Sequence, residues 1–252
     1  MNWRPAVPIT FTFMAMLAGF FSLMMTAAGN YYQAAQLIML SMLLDGLDGT
    51  LARMLHATTK FGGELDTYVD MTSFGLAPAF LAHQLVLKDA GIWGLVITCA
   101  IVVSGVSRLS RFRVVDPFRG QRGYLGLPIT TCAGWIALSV LIAESGYISD
   151  DVFSLSHGPT ATFIWGCVLA MVLLQVSHVH YNKPTKGLRG MAPAVLLITA
   201  LFFNSRWAVA AAFTLNAFGF YFAFLSPFFN RRHAMLVAYE EEKEDEPAPL
   251  PR

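Results

Sequence analysis

The chain has 252 residues, of which 56% are hydrophobic and 13% charged, with a formal net charge of +1. A soluble domain carries roughly 25% charged residues, so these values exclude a disordered chain, a disulfide scaffold and a nucleic-acid binder held by bulk positive charge. They also argue against a water-soluble enzyme of two layers and point to a polytopic membrane protein.

Eight apolar runs follow one another in chain order: Pro5–Ala28, Tyr32–Leu51, Asp66–Leu87, Gly91–Leu109, Leu127–Ala143, Thr160–Val176, Met191–Phe203 and Trp207–Phe229. Most approach the ~20 residues that cross ~30 Å of hydrocarbon as a helix; the seventh is short at 13. None alternates as a barrel strand does, and backbone in lipid must satisfy itself, so helix is the expected state throughout. The first run holds Pro5 and Pro8 and exceeds the apolar core of a signal peptide, so it reads as a span. The predicted fold is an all-α bundle of about eight spans over residues 1–230, with a catalytic core over about 5–143. Residues 231–252, acidic and then Pro-rich, read as a solvated, disordered cytoplasmic tail.

Loop charges orient this bundle. With the N-terminus inside, the inner segments hold 15 of the 17 Lys and Arg residues, and only Lys88 and Arg206 fall outside. Both termini are therefore expected in the cytoplasm. Cys99, Cys132 and Cys167 all lie in apolar runs without metal-ligand spacing and read as small buried hydrophobes.

The acids are distributed unevenly. Outside the tail there are ten, and five of them (Asp45, Asp48, Glu64, Asp66 and Asp70) fall within 26 residues. Asp45 and Asp48 share a helix face at the inner end of the second run, and Asp66 and Asp70 share one at the start of the third. Two carboxylate pairs on adjacent antiparallel helices can converge at the cytoplasmic surface. So many ionised carboxylates need a divalent counter-charge. Hard oxygen ligands without His or Cys suit Mg²⁺, Mn²⁺ or Ca²⁺ rather than Zn²⁺. Gly49 and Gly62 leave room for close approach of phosphate, and Arg53 supplies a fixed cation. Such a site is suited to a pyrophosphate-containing substrate. The plain alternative, solvated acids at helix ends, does not account for four Asp flanked by Gly and Arg inside apolar helices.

The pattern Asp-x2-Asp-Gly-x2-Ala-Arg-x8-Gly-x3-Asp-x3-Asp, met here by Asp45, Asp48, Gly49, Ala52, Arg53, Gly62, Asp66 and Asp70, resembles the signature of the CDP-alcohol phosphotransferases. A second set of shorter motifs is similar to the integral-membrane phosphatidylserine synthases of bacteria: Asp70-Met-Thr-Ser73-Phe74-Gly75-Leu-Ala77-Pro78, Arg108-Leu-Ser-Arg111-Phe112 and Gly126-Leu127-Pro128. Ser110 and Arg113 depart from the Ala and Asn usual there, and Pro8-Ile9-Thr10 departs from the usual Pro-Asn before Thr.

The resemblance implies transfer of a phosphatidyl group from CDP-diacylglycerol to an alcohol, with release of CMP, at the inner face of a bacterial cytoplasmic membrane. It implies a divalent metal pair, Mg²⁺ or Mn²⁺, on Asp45, Asp48, Asp66 and Asp70, with Asp70 also the general base. It carries contacts to the cytidine diphosphate onto Gly49, Arg53, Thr59 and, more weakly, Thr10, and it implies a homodimer packed through membrane helices. L-serine is the expected acceptor. Its carboxylate wants a cation, and Arg108 and Arg111, three apart at the inner end of the fourth run, are the candidates for it or for a phosphate; topology and snorkelling to lipid phosphate are their ordinary reading. Glycerol phosphate, inositol phosphate or choline is the alternative acceptor. A cation transporter is the distant alternative, disfavoured because the acids gather at helix ends rather than at mid-span.

Overall fold

Backbone that must satisfy its own hydrogen bonds in lipid gives helices, and the computed structural model, described over residues 4–115, 124–181, 187–203 and 205–228, is all-α apart from one two-residue strand pair. Helix α1 (Ala6–Ala27) turns back through Gly29, whose φ of +80° needs no Cβ, into α2 (Tyr31–Met54). Small polar residues hold this hairpin: Ser22 donates to the carbonyl of Ala34 and Ser41 to that of Ala15, both at 2.8 Å. The opposite stripe of α1, with Phe13, Leu17, Phe20 and Met24, is exposed as a lipid-facing side requires.

After α2 the chain turns through His56, with φ +50°, and α3 (Lys60–Val69) starts on Thr59, whose hydroxyl accepts from the Gly62 N–H at 3.0 Å. The helix then widens into a π-helical segment over Asp70–Leu76 before resuming as α4 (Ala77–Leu85). Pro78 explains the widening. It has no N–H for the carbonyl one turn back, and a wider turn absorbs the mismatch. Ser73 in this segment donates to the Ala15 carbonyl at 3.3 Å, and a Cβ on Gly19 would collide with Ser73. Backbone therefore meets backbone where α1 crosses the wide turn.

Helix α5 (Gly91–Val115) leads towards strand β1 (Tyr124–Leu125). Helix α6 (Ile129–Ala143) is the centre of the bundle. Twelve of its 15 residues are buried, and it packs on α2, α4, α7, α9 and the wide turn. Its Trp135 lies 6.3 Å from Phe163 and 6.1 Å from Phe220, ring centre to ring centre. Helix α7 (Gly158–Val176) ends at strand β2 (His180–Tyr181), which pairs antiparallel with β1, and α8 (Gly187–Ala200) and α9 (Arg206–Phe220) follow. A second π-helical turn, Tyr221–Leu225, extends α9, and the buried Tyr181 hydroxyl donates to its Ala223 carbonyl at 3.0 Å.

Among the described residues, five helices have the length and apolarity of a membrane span: Ala6–Ala27, Tyr31–Met54, Leu87–Val114, Gly158–Val176 and Arg206–Phe228. The other three apolar runs differ from the expectation for identifiable reasons. The third is interrupted by the wide turn at Asp70–Leu76. The fifth is a 15-residue helix enclosed by its neighbours. The seventh is a 14-residue helix with Pro193 inside it. The acidic tail, 231–252, and the loop bearing Arg119 and Arg122 lie outside the described residues.

Candidate functional site

The last three turns of α2 and the first two of α3, joined by the short turn at 55–59, bring acids from two neighbouring helices together. One carboxylate oxygen from each of Asp45, Asp48 and Asp66 lies within 4.8 Å of the others. Asp48 is 5% exposed. Oδ1 of Asp45 and Oδ2 of Asp48 are buried without a hydrogen-bond partner, a deficit that costs about 1–3 kcal/mol per group if nothing meets it. The Asp45 and Asp66 carboxyl groups are themselves within hydrogen-bond reach. Three mutually facing carboxylates, Asp48 buried, Asp45 partly buried and Asp66 open to solvent, offer the hard oxygen chemistry that fits a divalent cation. Asp70, at the start of the wide turn, stands outside this trio. It is close enough for its charge to act on Asp45, and for those of Asp66, Arg108 and Asp48 to act on it.

A cleft opens beside the acids. Pro8, Ile9 and Thr12 of α1 form one wall; Asp48, Gly49, Ala52 and Arg53 of α2 form the floor; Thr58, Thr59, Gly62, Gly63 and Asp66 close the far side. A Cβ on Gly49 would stand 3.6 Å from the Arg53 guanidinium, and one on Gly62 would press on the Thr59 hydroxyl at 3.1 Å. Both glycines therefore keep space clear where a phosphate would meet Arg53 and the N-terminus of α3. Thr59 and Arg53 both line this space, as the sequence placed them.

Thr10 does not. It is exposed, and its hydroxyl donates to the Ala6 carbonyl at 2.9 Å. Thr12 takes the place expected for it: buried, lying against the Asp48 carboxylate, with its hydroxyl 3.0 Å from the Pro8 carbonyl. Helical periodicity was the available signal, since residues 8 and 12 share a face and residue 10 points away.

The two arginines of α5 separate sharply. Arg108 is 6% exposed, lies over the Phe112 ring at 5.5 Å and acts electrostatically on Asp70. Arg111 instead donates to four backbone carbonyls: Val176 and Ser177 at 2.7 Å, Gln175 at 3.1 Å and Leu125 at 3.4 Å. Its guanidinium is engaged by the end of α7 and is not turned toward the acids. Arg113, a departure from the motif, donates to the Gly63 carbonyl at 3.0 Å and forms an ion pair with Glu64. It fastens the end of α5 to the first turns of α3, a contact that spacing alone gave no means of finding.

The chain matches the family of CDP-alcohol phosphatidyltransferases over residues 5–203. It is 29% identical over 174 residues to the CDP-diacylglycerol–serine O-phosphatidyltransferase of Helicobacter pylori (strain J99), covering 69% of this chain and 70% of that protein. It is 31% identical over 184 residues to the Bacillus subtilis (strain 168) protein of the same name, covering 73% of this chain and 93% of the relative. To the archaetidylserine synthase of Methanothermobacter thermautotrophicus it is 30% identical over 183 residues, covering 71% and 70%.

Proposed function

Because the chain belongs to the CDP-alcohol phosphatidyltransferase family, we propose that it transfers the phosphatidyl group of CDP-diacylglycerol to the hydroxyl of L-serine, giving phosphatidylserine and CMP. The observation that carries the reading is the trio of Asp45, Asp48 and Asp66 carboxylates, two of them with orphaned buried oxygens, beside a glycine-floored cleft. The serine acceptor is supported by the names of the relatives, which share it across bacteria and an archaeon.

Each residue has a part in this chemistry. Asp45, Asp48 and Asp66 hold the divalent metal, Mg²⁺ or Mn²⁺; a pair of ions would use Asp70 as a further ligand. Bound there, the metal neutralises charge that develops on the pyrophosphate and on the departing CMP. Gly49, Arg53 and Thr59 receive the cytidine diphosphate, with Thr12 rather than Thr10 beside it. Arg108 pairs with the carboxylate of serine and so holds its hydroxyl near Asp70. The serine oxygen forms a bond to phosphorus, the bond from phosphorus to the CMP oxygen breaks, and Asp70 takes the hydroxyl proton.

The diacyl chains remain in lipid beside α1, whose exposed apolar stripe flanks the cleft wall. The preponderance of Lys and Arg on one set of loops supports an active site and both termini on the cytoplasmic side of a bacterial inner membrane, with about eight crossings in all. The protein works as a homodimer.

The test is CMP release from CDP-diacylglycerol in mixed micelles, with and without serine, for the wild type and Asp70→Asn. Release needs serine, stops with a chelator and falls about 10²- to 10⁴-fold in the variant. Turnover with glycerol phosphate, inositol phosphate or choline but not with serine would reject the acceptor. Release that ignores serine altogether would reject the reaction.

A further inference from the structure

Arg108 lies in the middle of a stretch of α5 that is gripped from both sides by the end of α7. Residues 104, 108 and 111 fall at the i, i+4 and i+7 positions of one helical stripe. One turn before Arg108, the Ser104 hydroxyl donates to the Gln175 side-chain oxygen at 2.8 Å, and Gln175 is 1% exposed. One turn after it, Arg111 donates to the carbonyls of Gln175, Val176 and Ser177, the unsatisfied acceptors that close α7. A cation at this point also meets the negative end of the helix dipole.

The chain around β1 completes the grip. The Leu125 carbonyl accepts from Arg111, the Gly126 N–H donates to the Val179 carbonyl at 2.8 Å, and the Leu127 N–H donates to Leu174 at 3.1 Å. Gly126 has φ +78°, and a Cβ there would stand 2.5 Å from the Gln175 carbonyl and 2.6 Å from the Arg111 guanidinium, the two partners of one hydrogen bond in the joint. The space that Gly126 leaves empty is the space the guanidinium needs. Arg111, Gly126 and Gln175 therefore form one joint, and its effect is to fix the rotation and height of α5 at Arg108.

We propose that Arg111 is a positioning residue for the acceptor: it locks α5 to the end of α7 so that Arg108 faces Asp70 and the serine carboxylate. This rests on the reading of Arg108 given above. The nucleotide cleft is built from α1, α2 and α3, and Arg113 ties α5 to Gly63 and Glu64 of α3 by its own contacts, so loosening the joint at Arg111 disturbs acceptor recognition more than nucleotide recognition.

The experiment measures kcat and KM for each substrate with full-length, detergent-purified Arg108→Gln, Arg111→Gln, Arg111→Lys, Gly126→Ala and the Arg108→Gln/Arg111→Gln double variant. Arg111→Gln raises the KM for serine about tenfold or more while the KM for CDP-diacylglycerol changes less than twofold. Gly126→Ala, which obstructs the same guanidinium, reproduces that split. Arg111→Lys, which keeps the charge without the forked donors, recovers only part of it. The double variant is no worse for serine than Arg108→Gln alone, because one residue acts through the other. If the two substitutions multiply, or if both KM values rise together with loss of folded protein, Arg111 is an ordinary brace and the proposal fails while the reading of Arg108 stands. If Arg108→Gln leaves the serine KM unchanged, the reading of Arg108 falls and takes the proposal with it. Should Arg111→Gln not accumulate, Gly126→Ala and Arg111→Lys decide by the same KM comparison.

Discussion

Two buried polar regions meet near Arg108, and they are built on opposite rules. In the acidic cleft, Asp45 and Asp48 each keep an oxygen without a hydrogen-bond partner, and three carboxylates crowd together. In the joint between α5 and α7, Arg111 is shared among four carbonyls, the Gln175 oxygen has Ser104, and the Tyr181 hydroxyl has Ala223. A group of buried deficits beside an open cleft marks a place where something from outside can make them good. The cleft is therefore a place to bind, and the joint is a place to hold.

That contrast predicts opposite outcomes for substitutions in the two regions. The largest effect belongs to the cleft. Asp48→Asn lowers serine-dependent CMP release by at least about 100-fold, since loss even of a group supporting a metal ligand costs 10- to 100-fold. Its thermal unfolding midpoint without divalent ions does not fall, because one like charge has been removed from the cluster. A parallel collapse of stability would make Asp48 a structural residue and break the comparison.

In the joint the signs reverse. Tyr181→Phe removes a buried donor and leaves the Ala223 carbonyl short, costing about 1 kcal/mol of stability, with CMP release within twofold of wild type. Burial pushes this phenol up to about 12, so it remains a donor at every working pH. A tenfold loss of activity at unchanged stability would move Tyr181 from holding to binding.

The smallest effect lies at the opposite end of the molecule. Glu144 ends α6, and its half-buried position together with the neighbouring Asp150 raises its carboxyl above the ordinary range. The folded state disfavours the ionised form there. Stability therefore falls as pH rises from the ordinary glutamate value through the raised one. Glu144→Gln removes that slope: the unfolding midpoint rises slightly at pH 8 and does not change at pH 4. An identical shift at both values would show that charge is not the cause.

The all-α bundle and the grouping of the three carboxylates were legible because both are encoded locally. Apolar runs of near-spanning length leave helix as the only way to satisfy the backbone. Asp45 and Asp48, three residues apart, share a face in any α-helix, and the short turn into α3 leaves little freedom in where Asp66 can go. The errors came where a residue's meaning depended on rotation or on a distant partner. Thr10 and Thr12 are equally good candidates by type, yet Thr12 lies against Asp48 while Thr10 is exposed, because which face of α1 meets α2 is set by packing between the helices. The run at 66–87 looked continuous, but Pro78 forced a change of helical pitch within it.

Composition, apolar run length and carboxylate spacing by themselves determined a helical membrane protein with an acidic site at the end of its second helix. These properties follow from hydrophobic length and from helical geometry over one or two turns, which need no tertiary information. Only the tertiary structure decided the rest: that α6 is the enclosed centre, that Asp45, Asp48 and Asp66 form the tightest group of carboxylates, and that Arg108 lies buried within electrostatic reach of Asp70 while Arg111 holds α7. Two arginines one turn apart are equivalent in an isolated helix. They differ here because the carbonyls of residues 175–177, more than 60 positions along the chain, are the partners of Arg111, while Arg108 lies buried over Phe112 within electrostatic reach of Asp70.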